Sequence, residues 1–219
     1  MDVFDIIGPV MIGPSSSHTA GAARLGRIGL ALLGEPVKEA RIHLYGSFAK
    51  TYRGHGTDKA LAAGILGLPP DDTRLRNSLE IAVQKDVHIT FIEEQEDGGH
   101  PNTVLISLSG KNGRTAVMKG ASVGGGNVMV MEINHMEVSF SCQSPTLIVL
   151  HKDTPGVIAA VAEEISRNHV NISNFHLARN YKGGVAVMTI EMDGMPKKPI
   201  LKRLEEIPAV LDTTLLDAV

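Results

Sequence analysis

Five short runs in the middle of the chain alternate apolar and polar residues, and they constrain the fold more than any other feature. The runs are Val87–Phe91, Val104–Leu108, Ala116–Met118, Val128–Val130 and Val138–Phe140. Alternation with a period of two is typical of strands that bury one face of a sheet. Because short stretches separate the runs, neighbouring strands are predicted to pair in a largely antiparallel sheet.

Before these runs, apolar residues recur at helical spacing. We predict a helix from near Thr19 that ends at Gly34, a strand over 40–46, a helix from Thr57 or Asp58 to Leu66, and a helix from Asp72 or Thr73 to about Lys85. These helices would cover one face of the sheet, as in two-layer α+β domains. The N-terminal domain is therefore predicted to be an α/β sandwich.

The pattern restarts after the small, polar stretch Ser141–Pro145. We predict a strand over 146–151, a helix after the turn at 153–156 that runs to about Asn168, strands over 170–178 and 185–191, a helix over 198–207 and a strand over 210–216. This β-α-β-β-α-β order is the ferredoxin-like arrangement. The predicted domains are 1–143 and 146–219, and the predicted fold class of the whole chain is α+β.

Composition excludes several classes of function. The chain has 219 residues, a formal net charge of −3, 4% aromatic residues and no Trp, and its Lys and Arg residues form no long run. We therefore expect no nucleic-acid partner. The apolar runs are too short to span a bilayer, and residues 1–12 lack the basic start and apolar centre of a signal peptide. A cytoplasmic protein without membrane contact is the expectation.

The spacing of cysteine and histidine argues against a metal site built by this chain alone. Cys142 is the single cysteine, and no two of the nine His have His-x-His or His-x3-His spacing. Protein metal sites of the zinc type need several such ligands at short spacing. The stretch Gly124–Gly126 is not a Gly-x-Gly-x-x-Gly element, so a dinucleotide site is not supported either.

The loop Gly13–Thr19 is dense in polar groups at a helix start. Its polar side chains are those of Ser15, Ser16, Ser17, His18 and Thr19. Hydroxyls and free backbone N–H groups at such a place bind carboxylate or phosphate well. A serine-rich capping loop, with Ser16 or Ser17 as the cap, is the alternative.

The stretch Gly54–Lys59 places His55 between two glycines, with Thr57 next to them. Histidine has an unperturbed pKa of about 6.5, which suits proton transfer near neutral pH. A surface histidine in a glycine turn is the alternative. His100 and Asn102 lie in a third Gly/Pro-rich stretch, where a polar hairpin and a binding site explain the sequence equally well. Several polar, glycine-flanked loops in one domain together favour a small-molecule site.

The C-terminal segment resembles an ACT domain, a ferredoxin-like module that senses amino acids. The resemblance lies in His151–Val157, after the first strand, and in Asn168–Ile172, at the next helix–strand junction. In ACT domains these places form an effector pocket, usually between two chains that pair edge to edge. The resemblance implies a homodimer and an effector site with Asp153, Gly156 and Asn171. The corresponding turn of phosphoglycerate dehydrogenase has Asn where this chain has Asp153.

The chain as a whole resembles the β-subunit family of bacterial two-chain, iron–sulfur-dependent L-serine dehydratases. The resemblance lies in Gly13–Thr19, Gly54–Lys59, His100–Thr103 and Ser122–Gly126. It implies deamination of L-serine to pyruvate and ammonia by α,β-elimination of water. It also implies a [4Fe-4S] cluster ligated by a partner α subunit, since Cys142 alone cannot hold one. The N-terminal part is also similar to the allosteric-substrate-binding domain of some phosphoglycerate dehydrogenases.

The same resemblance implies roles for individual residues. His55 would be the catalytic base, and Thr57 would orient it or the substrate. His18 would assist catalysis. The substrate-binding residues would be Ser15, Ser16, Ser17, Thr19, His100 and Asn102. The division of roles between His18 and His55 stays open, and so does the alternative of a non-catalytic regulatory subunit that senses an amino acid.

Overall fold

The computed structural model describes residues 10–197 and 199–218, so residues 1–9 of the apolar segment 1–12 lie outside the described part of the chain. The chain divides into two compact units, the first ending at His135 and the second beginning at Met136. Each unit combines helices with a sheet, which confirms the α+β fold class. The predicted domain boundary between 143 and 146 stays a prediction. Among the described residues, no helix is long and apolar enough to cross a membrane.

The first unit consists of a helical layer on a mainly antiparallel sheet. Its elements are a π-helical turn (Ser16–Gly21), α1 (Ala22–Leu33), β1 (Val37–Leu44), α2 (Gly46–His55), α3 (Thr57–Ile65), a 3-10 turn (Thr73–Asn77), α4 (Ser78–Gln84), β2 (His88–Glu93), β3 (Thr103–Gly110), β4 (Thr115–Gly124) and β5 (Asn127–Ile133). The strand order is β2-β1-β3-β4-β5. Only the β1–β2 pair among these neighbours is parallel, which confirms the predicted sheet.

Helices α1 and α3 pack backbone to backbone. A Cβ atom built on Gly64 would lie 2.1 Å from the Ala23 carbonyl oxygen, and one on Gly26 would lie 2.5 Å from the Leu61 carbonyl oxygen. A side chain at either position would therefore collide with the facing helix. Both helices begin near the loops that the sequence analysis singles out, so this close contact fixes the relative position of those loops.

Helix α2 is the main difference from the sequence prediction, which placed a strand up to residue 46 and a loop around Gly54. The strand ends at Leu44, and α2 runs from Gly46 until Gly56 ends it in the left-handed conformation, with φ 71°. The segment is mostly polar and buries few side chains, so its apolar pattern is weak. The predicted loop was wrong because a single C-cap glycine separates two helices.

A smaller difference concerns the start of the first helix. The sequence predicts Ser16 or Ser17 as the cap of a helix near Thr19, whereas the helical turn begins at Ser16 and Ser15 is its cap. Ser15 has extended backbone angles, and its hydroxyl accepts a hydrogen bond from the backbone N–H of His18 at 3.3 Å. An N-cap residue has this geometry.

The second unit contains a four-stranded antiparallel sheet in the order β10-β7-β9-β8. Its elements are β6 (Met136–Phe140), β7 (Thr146–Lys152), α5 (Val157–Arg167), β8 (Ile172–Arg179), β9 (Val185–Met192), α6 (Pro199–Glu205) and β10 (Val210–Leu216). From β7 to β10 the order is β-α-β-β-α-β, which confirms the ferredoxin-like prediction. Apolar side chains of β7, β9, α5 and α6 form its core.

Candidate functional site

His18 lies along one face of α2 and contacts four of its side chains, those of Ser47, Phe48, Thr51 and His55. Its Nε2 atom is 3.1 Å from Thr51 Oγ1 and 3.4 Å from Ser47 Oγ. Its ring lies at right angles to the ring of His55, with 4.7 Å between the centroids. Residues four apart share a helix face, so Ser47, Thr51 and His55 form one stripe. The structure thus brings the two predicted catalytic histidines together.

The hydrogen bonds assign the tautomer of His18. The hydroxyl of Thr51 donates its proton to the Ser47 carbonyl oxygen at 2.8 Å, so towards His18 it can only accept. Nε2 of His18 must therefore carry a hydrogen. Nδ1 is then the acceptor, and Ser15 Oγ lies 3.3 Å from it. Both ring nitrogens of His18 have a hydrogen-bond partner, which holds the ring in place.

Burial and charge also keep His18 neutral. Burial lowers its pKa from the ordinary value of 6.5, and the charge of the neighbouring His55 lowers it further. Burial penalises the charged imidazolium, and a second positive charge nearby adds to that penalty. The neutral form is therefore favoured at neutral pH, in agreement with the hydrogen-bond assignment.

We expect the ring of His18 to titrate below pH 6.5 in an NMR titration, because the folded state favours its neutral form. The unfolded chain then binds more protons below that pH, so this contribution to stability is lost as the pH falls. His55→Ala is expected to raise the pKa of His18 only part of the way back to its ordinary value. The substitution removes the charge of His55, which is the smaller of the two causes, and leaves the effect of burial. A pKa of His18 above 6.5 would contradict the assignment.

His55 differs from His18 in its surroundings. It is the last residue of α2, it is exposed, and its ring nitrogens have no hydrogen-bond partner among the described residues. It lines a cleft of about 380 Å³ together with Gly13, Pro14 and Thr19 of the N-terminal loop. The two loops that the sequence analysis singles out thus form opposite parts of one concave surface.

The cleft is electropositive. Arg53, Lys59 and Arg76 line it, and no acidic residue is among the lining residues that the structure describes. Arg53 also stacks over the Tyr52 ring, with 5.2 Å from its Cζ atom to the ring centroid. Three cations around a small concave surface favour an anionic ligand group such as a carboxylate.

Two threonines near the cleft have buried hydroxyls without a partner. Thr19 and Thr57 are buried, and no hydrogen-bond partner of either Oγ1 atom is found in the described part of the chain. Thr19 lines the cleft, whereas Thr57 lies in the first turn of α3 and is not among the lining residues. An unsatisfied buried hydroxyl is costly, so Thr19 offers a hydrogen bond to a ligand. The orienting role expected for Thr57 stays a prediction.

His100 and Asn102 lie beside the start of α2 and are not among the residues that line the cleft. The Pro101 carbonyl oxygen between them accepts a hydrogen bond from the Ser47 backbone N–H at 2.6 Å. Nδ1 of His100 accepts one from the Asn102 backbone N–H at 3.1 Å. Asn102 Oδ1 is buried and has no partner within the described ranges. The loop thus supports α2 from the side opposite to its His55 end.

The remaining N-terminal serines occupy the first turn of helical structure. Ser16 and Ser17 are the first residues of the π-helical turn and are half-buried, and their side-chain hydroxyls make no hydrogen bond in the described residues. Their hydroxyls are therefore available to a ligand at this helix start. Ser15, by contrast, is committed to His18.

In the second unit, the three predicted effector residues make contacts of their own. Asp153 Oδ2 accepts hydrogen bonds from the Gly183 backbone N–H at 3.0 Å and from Arg179 Nη1 at 2.7 Å, and these bonds lower the pKa of the carboxyl. Gly156, with φ 91°, precedes α5. The side-chain amide of Asn171 donates to Asp193 Oδ2 at 2.8 Å. Asp153 thus connects two turns of the same unit, and an effector role for these residues stays a prediction.

Sequence reasoning missed Ser47, Thr51 and the cations Arg53 and Arg76. A signal was present, because Ser47, Thr51 and His55 are spaced by four residues. That spacing places hydroxyls and an imidazole on one face of a helix. In a loop, which is what the glycines of this segment favour, the same spacing carries no such meaning. Arg76 is far from His55 in sequence, and only the fold brings it to the cleft.

Comparison with known proteins identifies the family. The chain is 42% identical to the probable L-serine dehydratase beta chain of Bacillus subtilis, over 97% of this chain and 96% of the relative. It is 35% identical to the L-serine dehydratase beta chain of Peptoniphilus asaccharolyticus, over 92% of this chain and 90% of that one. This chain belongs to the L-serine dehydratase beta-chain family. The resemblance inferred from the sequence is thereby confirmed.

Two family models match separate parts of this beta-chain family member. The model described as "Serine dehydratase beta chain" matches residues 2–80, and the one described as "AHAS small subunit-like ACT domain" matches residues 147–212. The second match confirms the ACT assignment.

The chain is also 27% identical to D-3-phosphoglycerate dehydrogenase of Bacillus subtilis, over 90% of this chain but only 37% of that enzyme.

Proposed function

We propose that this chain supplies the proton-transfer half of an L-serine dehydratase active site, which a partner α chain completes. The observation that carries the proposal is the pair of histidines. His18 is fixed and neutral beside a His55 whose ring faces an electropositive cleft without a protein partner. The ring of His55 has no hydrogen-bond partner among the described residues and faces the cleft, so His55 can act as a general base.

The proposed substrate, L-serine, carries a carboxylate that suits the cleft. Arg53, Lys59 and Arg76 provide the positive charge for it, and the hydroxyl of Thr19 provides a hydrogen bond. Ser16 and Ser17 are not among the lining residues of the cleft, so their role in binding stays a prediction. Charge-assisted hydrogen bonds of this kind both bind and orient a carboxylate. Orientation matters because the α-proton must point at the base for transfer.

The proposed reaction begins when His55 takes the α-proton of L-serine. Loss of that proton and of the β-hydroxyl as water leaves an enamine. The enamine takes a proton at its terminal carbon to become an imine, and water hydrolyses the imine to pyruvate and ammonia. The proton on His55 is available for the departing hydroxyl or for the enamine carbon, so the residue returns to its neutral form at the end of the cycle.

The [4Fe-4S] cluster expected for the family does not fit this chain. Among the described residues no group of three or more His, Cys, Asp or Glu side chains could hold a metal. Cys142 is buried, and burial together with Glu191 raises the pKa of its thiol to about 12, which disfavours the thiolate that iron needs. We therefore assign the cluster to the α chain, where it would act as a Lewis acid towards the β-hydroxyl.

The second unit is proposed to pair two copies of the chain through its ACT sheet. Strand β8 lies at one edge of the sheet, and Phe175 on it is 40% exposed. An edge strand offers unpaired backbone groups to another strand. An amino acid bound near Asp153, Gly156 and Asn171 would then regulate the enzyme.

An anaerobic pyruvate assay tests the proposal. This chain, the cognate α chain with its cluster reconstituted, and the mixture of both are each supplied with L-serine. We expect pyruvate from the mixture only. Pyruvate from the α chain alone, at the rate of the mixture, would contradict a shared active site.

A non-catalytic regulatory subunit is the second candidate, and the ACT match favours it. This alternative predicts that substitutions of His18 and His55 leave maximal turnover by the α chain intact and change only activation by a ligand. A loss of turnover at saturating L-serine would exclude it. The two candidate functions therefore predict different effects of these substitutions on kcat.

Thr51→Val is expected to lower kcat by roughly tenfold, because the Nε2–H of His18 loses its closer acceptor and keeps only Ser47 Oγ at 3.4 Å, which weakens the hydrogen bond that positions the ring. Thr51 is a positioning residue, so Thr51→Ser should restore activity. The two tautomers of His18 are distinguished by long-range ¹H–¹⁵N NMR spectra of the chain. An unchanged tautomer and unchanged kcat in Thr51→Val would contradict the role.

A further inference from the structure

A second cavity lies in the first unit at the far ends of the helices that begin near the cleft. It has a volume of about 540 Å³, and the C-terminal ends of α1 and α3 contribute Leu30, Gly34, Ile65 and Leu66. We call it the lysine pocket and define it by Leu30, Val37, Ile65, Leu66, Val87 and the two lysines Lys85 and Lys111. Small-molecule sites have this size and this mixture of apolar walls with a few polar groups.

The charges around the lysine pocket sum to a positive value. Lys85 and Lys111 line it, and Glu35 is the acidic lining residue. Oε1 of Glu35 already accepts hydrogen bonds from the backbone N–H groups of Asn112 and Arg114, at 2.9 and 3.1 Å. These hydrogen bonds offset part of the negative charge of Glu35. The two lysines therefore leave the lining of the pocket with a net positive charge.

The two lysines reach the pocket from separate segments of the chain, and the side chain of Lys111 is held there. Nζ of Lys111 donates to the Lys85 carbonyl oxygen at 3.1 Å, and the Lys111 backbone N–H donates to the Pro36 carbonyl oxygen at 2.9 Å. The guanidinium of Arg114 lies nearby, since a Cβ built on Gly34 would be 3.4 Å from its Cζ atom. Lys111 thus keeps its ammonium group at the rim while two further N–H donors stay available.

The lysine pocket and the cleft are connected by two rigid elements. Helix α1 continues the turn that carries His18 and Thr19, and α3 begins two residues after His55. Both helices end at the pocket, about 18 Å away for the twelve residues of α1. Because α1 and α3 are in backbone contact at Gly26 and Gly64, we expect a displacement of their C-terminal ends to be transmitted to both N-terminal ends.

We propose that the lysine pocket binds a small organic carboxylate with an apolar body, and that binding is coupled to the cleft. The apolar body occupies the space between Leu30, Leu66 and Val87, and the carboxylate pairs with Lys85 and Lys111. This site is separate from the effector residues of the ACT unit. It does not depend on the dehydratase reaction, because binding is measurable on this chain alone.

Calorimetric titration of the full chain with 4-methylpentanoate and with 3-phenylpropionate tests binding, and the corresponding amides serve as uncharged probes. We expect saturable binding of the acids, and binding about tenfold weaker for the amides and for the Lys85→Gln/Lys111→Gln variant, since two ion pairs are lost. Lys182→Gln/Lys197→Gln, with the same change of charge on the second unit, should bind like the wild type.

A variant that fills the pocket distinguishes binding in the lysine pocket from binding at other lysine-rich surfaces. Leu66 is half-buried, so Leu66→Phe should fold and should abolish binding of both acids. Equal affinity for acids and amides, an unaffected Lys85→Gln/Lys111→Gln variant, or no saturable binding would each overturn the proposal. Failure of the pyruvate assay leaves these measurements unchanged, so the two proposals fail separately.

The coupling is tested on the same sample by NMR. Saturation with 4-methylpentanoate is expected to shift the signals of His18 and Thr57, and the shifts should disappear in Leu66→Phe. An acid that binds saturably without moving these signals would overturn the coupling.

Discussion

His55→Ala is expected to lower pyruvate formation by the complex of this chain with its α chain by about 10²–10⁴-fold, the usual contribution of a positioned general base. His55 is exposed, and its ring makes no hydrogen bond within the described residues, so its removal should not unfold the chain. The loss is expected in kcat, because the cations that we assign to the substrate carboxylate remain. The measurement is the initial rate at saturating L-serine under anaerobic conditions.

The matched control is His88→Ala. His88 is an exposed histidine in the same unit, at the start of β2, and is not among the residues that line the cleft. It should retain wild-type activity. Added imidazole should restore part of the activity of His55→Ala, since a small base can enter the space that the ring vacates. Wild-type turnover by His55→Ala would show that another group is the base, and it would favour the alternative of a non-catalytic regulatory subunit.

The proposed division of labour between the histidines follows from details that no sequence pattern carries. In the sequence, His18 and His55 occur in similar glycine-flanked loops, and either one suits proton transfer. In the structure, His18 is committed through both nitrogens to Ser15 and Thr51, whereas His55 faces the cleft. The difference depends on the hydroxyl of Thr51, which donates its proton to the Ser47 carbonyl oxygen and so accepts from His18. Only the three-dimensional structure shows this hydrogen bond.

The architecture was easier to predict than the site. The alternating runs of β3 and β5 and the βαββαβ order of the second unit follow from periodicity, which depends on burial of one face and is local in sequence. Helix α2 was missed because it is polar and short and is bounded by Gly46 and Gly56, features that also describe a loop. Tertiary contacts stabilise it: the Pro101 carbonyl binds its first turn, and Phe48 and Tyr52 are buried.

The glycines of the helical layer also show where sequence reasoning stops. Small residues along α1 predict a close approach by another backbone, and the structure identifies that backbone as α3. The partner could not be named from the sequence, because Gly26 and Gly64 are 38 positions apart and many other pairs of small residues exist. The contact makes a substitution test with a large and specific effect possible.

Gly64→Ala is expected to destabilise the chain by about 3 kcal/mol or more, as overpacking of a rigid contact does. The added methyl would lie 2.1 Å from the Ala23 carbonyl oxygen and 2.9 Å from the Arg27 backbone nitrogen. Neither atom can rotate away, so α1 and α3 must separate and lose buried contacts along their length. Thermal unfolding followed by circular dichroism measures the effect, and we expect a fall in Tm of roughly 10 °C.

Gly54→Ala is the control, and the opposite change in stability is expected for it. Gly54 lies inside α2, has no atom within 4 Å of a Cβ built on it, and is an ordinary helical position. Alanine there should stabilise the helix by up to about 1 kcal/mol, because glycine has the poorer helix propensity. Since Gly64 is also inside a helix, propensity alone predicts a gain at both positions. A gain at Gly64 would show that α1 and α3 are not in backbone contact and would remove the physical link between the cleft and the lysine pocket.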